Sequence, residues 1–228
     1  MRLPWRRLAV VLLALALLGA ACSDDKKSAT PVTSSSSSST SSSSSTTSTS
    51  SNASASSSSS SSLTGTAPSG DSVNDSGFVV PFSVTKPGAW TSNDFGQPAD
   101  VLALCKTADC VTEVIVTQVS GSLDATEKHV ESSTDYVVGP PVDTTVADTH
   151  AVRYDVSYKN PSQVPTGADG PALFLTGAAA ITVYGGNQAR VFFIEEQGHV
   201  LAVFCEAPVD TFSTFIDEAE GVVATLKF

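Results

Sequence analysis

Ala189 to Phe228 reads ARVFFIEEQGHVLAVFCEAPVDTFSTFIDEAEGVVATLKF, and its two halves obey different periodicities. Ala189 to Glu195 and His199 to Cys205 are short apolar runs rich in β-branched and aromatic residues. Gln197-Gly198 separates them, so they are expected to form a β-hairpin. From Asp210 onward the apolar residues Phe212, Phe215, Ile216, Ala219, Val222, Val223 and Leu226 recur at steps of three and one, which places them on one stripe of a helix. Asp210 is the expected N-cap, and Asp217, Glu218 and Glu220 are expected to face away from the stripe. A long amphipathic helix needs a sheet to cover, and the hairpin before it supplies part of one.

Working back from there, Ala172 to Tyr184 is expected as a further strand, and Asn160 to Gly170, with two prolines and two glycines, as a loop. His150 to Lys159 alternates most clearly. Val152, Tyr154, Val156 and Tyr158 point one way, while Arg153, Asp155, Ser157 and Lys159 line a wet face. Ser122 caps a short helix from Leu123 to about Ser133. Val101 to Cys105 and Cys110 to Val119 form a hairpin around Lys106-Thr107-Ala108-Asp109. Phe78 to Thr85 reads as a strand in which Pro81 marks an edge, and Trp90 is an expected core anchor. The fold class is α+β: an antiparallel sheet covered by helices, including the C-terminal one.

This domain is expected over 76–228, and what precedes it is of another kind. Leu8 to Cys22, LAVVLLALALLGAAC, follows Arg2, Arg6 and Arg7. The apolar run is shorter than the roughly 20 residues that cross a bilayer, so residues 1–21 read as a secretory signal peptide. Gly19-Ala20-Ala21 before Cys22 resembles the lipobox of bacterial lipoproteins, with Gly19 where that motif usually has Leu. The resemblance implies that Cys22 is diacylated and that the chain is held by lipid at the extracytoplasmic face of the cell membrane. From Ser34 to Ser62 the chain is Ser and Thr apart from Asn52, Ala53 and Ala55. Such a segment has no apolar surface to offset its ordering entropy, so residues 22–75 read as a disordered tether spanning about 40 Å. Its composition suits O-glycosylation, whereas the sequons at Asn52 and Asn74 carry little meaning in bacterial export.

Charge excludes some partners. Residues 76–228 hold seven Lys/Arg against nineteen Asp/Glu, a net charge of −12. No basic stripe exists to displace counterions from nucleic acid or to hold anionic lipid, which leaves the acyl chains to bind the membrane.

With Cys22 acylated, Cys105, Cys110 and Cys205 remain. Cys105 and Cys110 flank one hairpin loop and are expected to form a disulfide, with Cys205 a buried thiol; pairing of Cys205 with either of the others is the alternative. The wider C-x4-C spacing argues against a metal or redox set. Ser83-Val84-Thr85-Lys86 spells S-x-x-K, but strand alternation and Pro87 keep the amine from the hydroxyl. His129, His150 and His199 lie far apart and are expected as exposed polar residues. No catalytic residue, metal ligand or cofactor is assigned.

The strand and turn before Trp90 (FSVTKPGAW), the short helix (SLDATEKHVE), the paired strands and the closing helix together resemble PsbP-like domains, among them the LpqN/LpqT-type lipoproteins of actinobacteria. The resemblance implies a PsbP-like sandwich and a non-enzymatic role in binding or assembly. The favoured expectation is a lipid-anchored binding or interaction module that takes an apolar or glycan envelope ligand between sheet and helix, or docks an envelope protein. The rival expectation is an envelope hydrolase whose carboxylates come from Asp143, Asp148 and Asp169. Two of them converging about 5–9.5 Å apart in a cleft would favour it.

Overall fold

The computed structural model describes Leu63 and residues 65–97, 99–177 and 179–228. The expected signal peptide, Cys22 and the tether upstream of Leu63 lie outside the described residues.

The expected hairpin is the centre of the molecule. β11 (Asn187–Glu196) and β12 (His199–Pro208) pair antiparallel from Glu196↔His199 onward, and the turn residues Gln197 and Gly198 both take positive φ, 53° and 77°. That left-handed pair is what a two-residue hairpin needs to match the twist of its strands. Around it lies an eight-stranded antiparallel sheet in the order β3-β4-β5-β12-β11-β8-β6, with β7 also paired to β8. Its other members are β3 (Thr91–Asn93), β4 (Val101–Cys105), β5 (Glu113–Gln118), β6 (Tyr136–Val138), β7 (Val142–Val146) and β8 (Thr149–Tyr158). The ten-residue β8 pairs with β11 along one edge, and its other edge serves two partners, β7 along its first half and β6 along its last three residues.

Both faces of this sheet are covered. On one, α2 (Phe212–Val223) buries Phe212, Phe215, Ile216, Ala219, Val222 and Val223 against Leu104, Val114, Phe192, Val203 and Cys205. Trp90 stacks on Phe215 with ring centroids 6.0 Å apart, as an aromatic anchor beside a helix should. Each such side chain removed from water contributes about 1.5–3 kcal/mol. On the other face lie α1 (Leu123–Glu131) and a separate two-stranded unit, β9 (Asp169–Leu175) paired with β10 (Ala180–Tyr184). Ser122 caps α1, its Oγ accepting from the Ala125 N–H at 3.3 Å. The fold is therefore α+β, an antiparallel sheet with helices on its faces and a C-terminal amphipathic helix.

Several details depart from the expectations. The ordered chain starts before Ser76: β1 (Gly70–Asp75) pairs along its whole length with β2 (Phe82–Pro87). In GDSVND only Val73 is apolar, so no alternation marks a strand that rests on backbone hydrogen bonds. Upstream, Leu63 packs on the α2 side of the core, and Gly65 crosses α2 so closely that a Cβ on it would stand 2.0 Å from the Gly221 nitrogen. Gly221 likewise has Thr66 O at 2.2 Å from a notional Cβ, which explains a glycine inside a helix where it otherwise costs about 1 kcal/mol.

The expected strand over 172–184 is two strands. Glu220 does not face solvent: it is 2% exposed, with Arg190 Nη1 at 2.6 Å and Arg153 Nη1 at 3.7 Å from its Oε1. It lies at the margin of the apolar stripe, where the supposedly wet side of β8 and β11 runs under the helix. The N-cap position of α2 is Thr211 rather than Asp210.

Candidate functional site

The disulfide forms between Cys105 and Cys110, Cα atoms 4.8 Å apart, and Cys205 is a free buried thiol. The bridge does not join facing strand positions, because Cys105 faces Glu113 across β4 and β5 while Cys110 sits in the loop with φ 53°. Glu113 approaches both sulfurs within 4.8 Å, but sulfurs bonded to each other offer no thiolate to a metal ion. Burial pushes the Cys205 thiol up, with the nearby Glu220 adding to it and Arg190 opposing it.

The carboxylates proposed for a hydrolase do not come together. Asp143 lies on β7, where it meets His150 Nε2 at 3.2 Å in an exposed pair; Asp148 lies in the β7–β8 turn; Asp169 opens β9 beneath the opposite part of the sheet. His129 is exposed on α1. Lys86 Nζ donates to Trp90 O at 2.9 Å and approaches Asp71 at 3.8 Å, so the S-x-x-K spelling assembles nothing with Ser83.

Two other acids do face each other. Glu113 and Glu206 are direct cross-strand partners of β5 and β12, both 0% exposed, on the face covered by β9 and β10. Glu206 Oε1 accepts from the Tyr184 N–H at 2.5 Å and from Asn187 Nδ2 at 3.0 Å. Asn187 Nδ2 also donates to Val111 O at 3.1 Å, so one side chain ties β11, β12 and the disulfide loop together. Burial raises the phenols of Tyr136 and Tyr158, which lie in the same region, and Glu206 contributes to both shifts. This cluster is sealed. Its sequence signal is a single acid inside each of two otherwise apolar strands, EVIVTQ and HVLAVFCEAP.

The open site lies at the other end of the same strands. A cleft of about 350 Å³ is lined by Asp100, Gln118, Ser120 and His199, by the glycines Gly121, Gly177 and Gly198, and by Val79, Val119 and Val200. Main-chain hydrogen bonds fix its walls: Asp100 O accepts from Gln118 N at 3.3 Å and from Thr117 Oγ1 at 2.7 Å, Val119 N donates to Val200 O at 2.9 Å, and Ser120 N donates to Leu175 O at 3.1 Å. The end of β5, the start of β12, the chain before β4 and the end of β9 are thereby held around one opening.

Gln118 Nε2 stands 3.3 Å from His199 Nδ1, while Gln118 Oε1 is buried with no partner. When the Gln118 amide donates to Nδ1, the other ring nitrogen, Nε2, carries the N–H and faces away from Gln118 as a donor. Nothing in the sequence pointed here, since the polar groups come from strand ends separated by up to 99 positions. Their convergence depends on the β5–β12 pairing.

A second, wider groove of about 570 Å³ runs between the β7–β8 turn and the C-terminus, lined by Leu63, Thr145, Ala147, Asp148, Ala224, Leu226, Lys227 and Phe228. The space between sheet and α2, where a ligand was expected, is filled by the side chains of the apolar core.

No family model matches the chain, and no curated protein matches it. Among solved structures it is similar to the solution structure of cyanobacterial PsbP (CyanoP) from Synechocystis sp. PCC 6803, at 10% identity over 64% of this chain and 85% of that one, with a TM-score of 0.38. It is also similar to LpqN, described as involved in cell envelope biogenesis of Mycobacterium tuberculosis, at 13% identity over 64% of this chain and 82% of that one, with a TM-score of 0.40.

Proposed function

We propose that this protein is a lipid-anchored binding module of the bacterial cell envelope, displayed on the extracytoplasmic face by acylated Cys22 and a Ser/Thr-rich tether. The observation that carries the binding reading is the cleft at Gln118 and His199, an opening walled by rigid strand ends with polar groups converging in it. Its volume falls at the lower end of the roughly 300–1,000 Å³ typical of small-molecule sites. Ser120, His199 and Asp100 share that cleft, but the ring is oriented by the amide of Gln118. In a Ser-His-Asp triad a carboxylate stands in that place and stabilises the imidazolium. The anchoring reading is supported by the basic start, the short apolar run and the small residues before Cys22.

One preparation tests both halves. The parent and Cys22→Ser chains are expressed in an actinobacterial host, fractionated, and the retained small molecules identified by mass spectrometry. The parent is expected in the membrane fraction with an envelope component bound, and Cys22→Ser in the soluble or secreted fraction. A variant that stays membrane-bound as tightly as the parent removes the anchor. Turnover of an envelope ester or glycan that is lost in Ser120→Ala replaces the binding reading with hydrolysis.

A further inference from the structure

Resting on that reading, we infer that the cleft takes an uncharged, polyhydroxylated ligand, a sugar unit presenting adjacent hydroxyls. Donors and acceptors in the cleft have to be matched. Asp100 offers a carboxylate, which only accepts when ionised; Gln118 Oε1 is a buried acceptor with no partner; His199, with Nδ1 taken by the Gln118 amide, offers Nε2–H as a donor; the Ser120 hydroxyl does either.

A sulfate or carboxylate ligand has acceptors alone, so it would satisfy His199 but meet the like charge of Asp100, in a domain already at net −12. An ammonium ligand has donors alone, so it would satisfy Asp100 and Gln118 and leave the His199 N–H desolvated without an acceptor. A hydroxyl donates and accepts at once. Two neighbouring hydroxyls serve both kinds of group without placing a charge beside Asp100.

The apolar part of the lining agrees. Val79, 60% exposed, and buried Val200 give the opening a surface against which the C–H face of a sugar ring can lie. The glycines let the backbone border the ligand closely: neither Gly121 nor Gly198 has any atom within 4 Å of a notional Cβ, and Gly177 has Asp100 Oδ1 at 3.5 Å. At about 350 Å³ the cleft has room for one or two rings rather than a polymer chain.

The test uses the full chain in detergent, titrated by calorimetry and by amide NMR. The probes are four neutral sugars (arabinose, galactose, mannose and N-acetylglucosamine), with ethylammonium as the donor-only control and sulfate as the acceptor-only control. At least one sugar is expected to bind saturably, shifting the Gln118, Ser120 and His199 amides, and to weaken at least tenfold in Gln118→Ala and in His199→Ala. Both positions are partly exposed at strand ends, so the variants are expected to keep the parent's melting temperature within a few degrees. Asp100→Asn is expected to retain the sugar, since an amide still accepts and donates. Saturable binding of sulfate or ethylammonium at these residues overturns the inference, as does the absence of any sugar-induced shift at millimolar concentration. An envelope lipid bound elsewhere, with the cleft amides unmoved, overturns it while leaving the binding-module reading intact.

Discussion

On the α2 face of the sheet a buried glutamate, Glu220, stands 2.6 Å from the Arg190 guanidinium, which also holds Asp155 through two bonds of 2.6 and 2.9 Å. On the opposite face two fully buried glutamates, Glu113 and Glu206, stand across from each other, and the donors that reach Glu206 from β10 and β11 are a neutral amide N–H and a neutral side-chain amide. One fold thus buries acids in two ways. Under α2 a negative charge is kept and answered by a positive one. Under the hairpin, Glu206 is held by neutral donors, with Glu113 directly across the ladder from it. The two arrangements respond differently to mutation.

The largest effect is expected where a charge is left without its answer. Burial by itself would lower the Arg190 pKa, but its hydrogen bonds and charge interactions with Asp155 and Glu220 outweigh that, and the net direction is upward. Arg190→Met keeps most of the volume and strands Glu220 beneath the helix, so unfolding in urea is expected to show a loss of about 3–5 kcal/mol. Arg190→Met combined with Glu220→Gln is expected to recover more than half of it. A loss below about 1 kcal/mol in the single variant would mean that the network is not what fixes α2 on the sheet.

How much of this was legible in the sequence depends on what each element relies on. The β11–β12 hairpin, β8 and α2 are built by apolar periodicity, and ARVFFIEE, HVLAVFC and the stripe from Phe212 to Leu226 display it openly. β1 and β7 were missed because GDSVND and VDTTV carry mainly polar residues and are held by pairing to β2 and β8. The placement of Glu220 was misread for a related reason. A helix wheel shows which side is apolar, but not that Arg190 and Arg153 rise from the sheet to meet its margin. Asp143, Asp148 and Asp169 seemed plausible partners as carboxylates in loops and near turns, yet Cα register decides convergence. Register set Glu113 across from Glu206, and Gln118 across from Leu201, which brings the Gln118 amide beside His199.

An intermediate effect is expected on the hairpin face. Glu206 Oε1 accepts from the buried Tyr184 N–H and from Asn187 Nδ2. Glu206→Leu takes that acceptor away from both donors and is expected to cost roughly 1–3 kcal/mol for each of them in urea unfolding, whereas Glu206→Gln keeps an oxygen in place and is expected to cost less. Equal losses in the two variants would show that these hydrogen bonds do not hold the hairpin face together.

The smallest effect contrasts the cysteines of the two faces. Cys105 and Cys110 are bonded on the hairpin face, whereas Cys205 is reduced beneath α2, where burial holds its thiol protonated and therefore a poor nucleophile. Closing a loop of only about six residues restricts the unfolded chain little, so Cys105→Ala with Cys110→Ala is expected to cost about 2 kcal/mol, at the low end for a disulfide. Peptide mapping without reduction is expected to recover the Cys105–Cys110 peptide pair, and Cys205 is expected to alkylate only after denaturant is added. The same double variant tests whether the bridge holds the Glu113 end of the acid pair in register, since Cys105 lies directly opposite Glu113. If it does, combining it with Glu206→Leu costs less than the sum of the two separate losses. If the losses add, the loop bridge and the buried acids are independent features of that face.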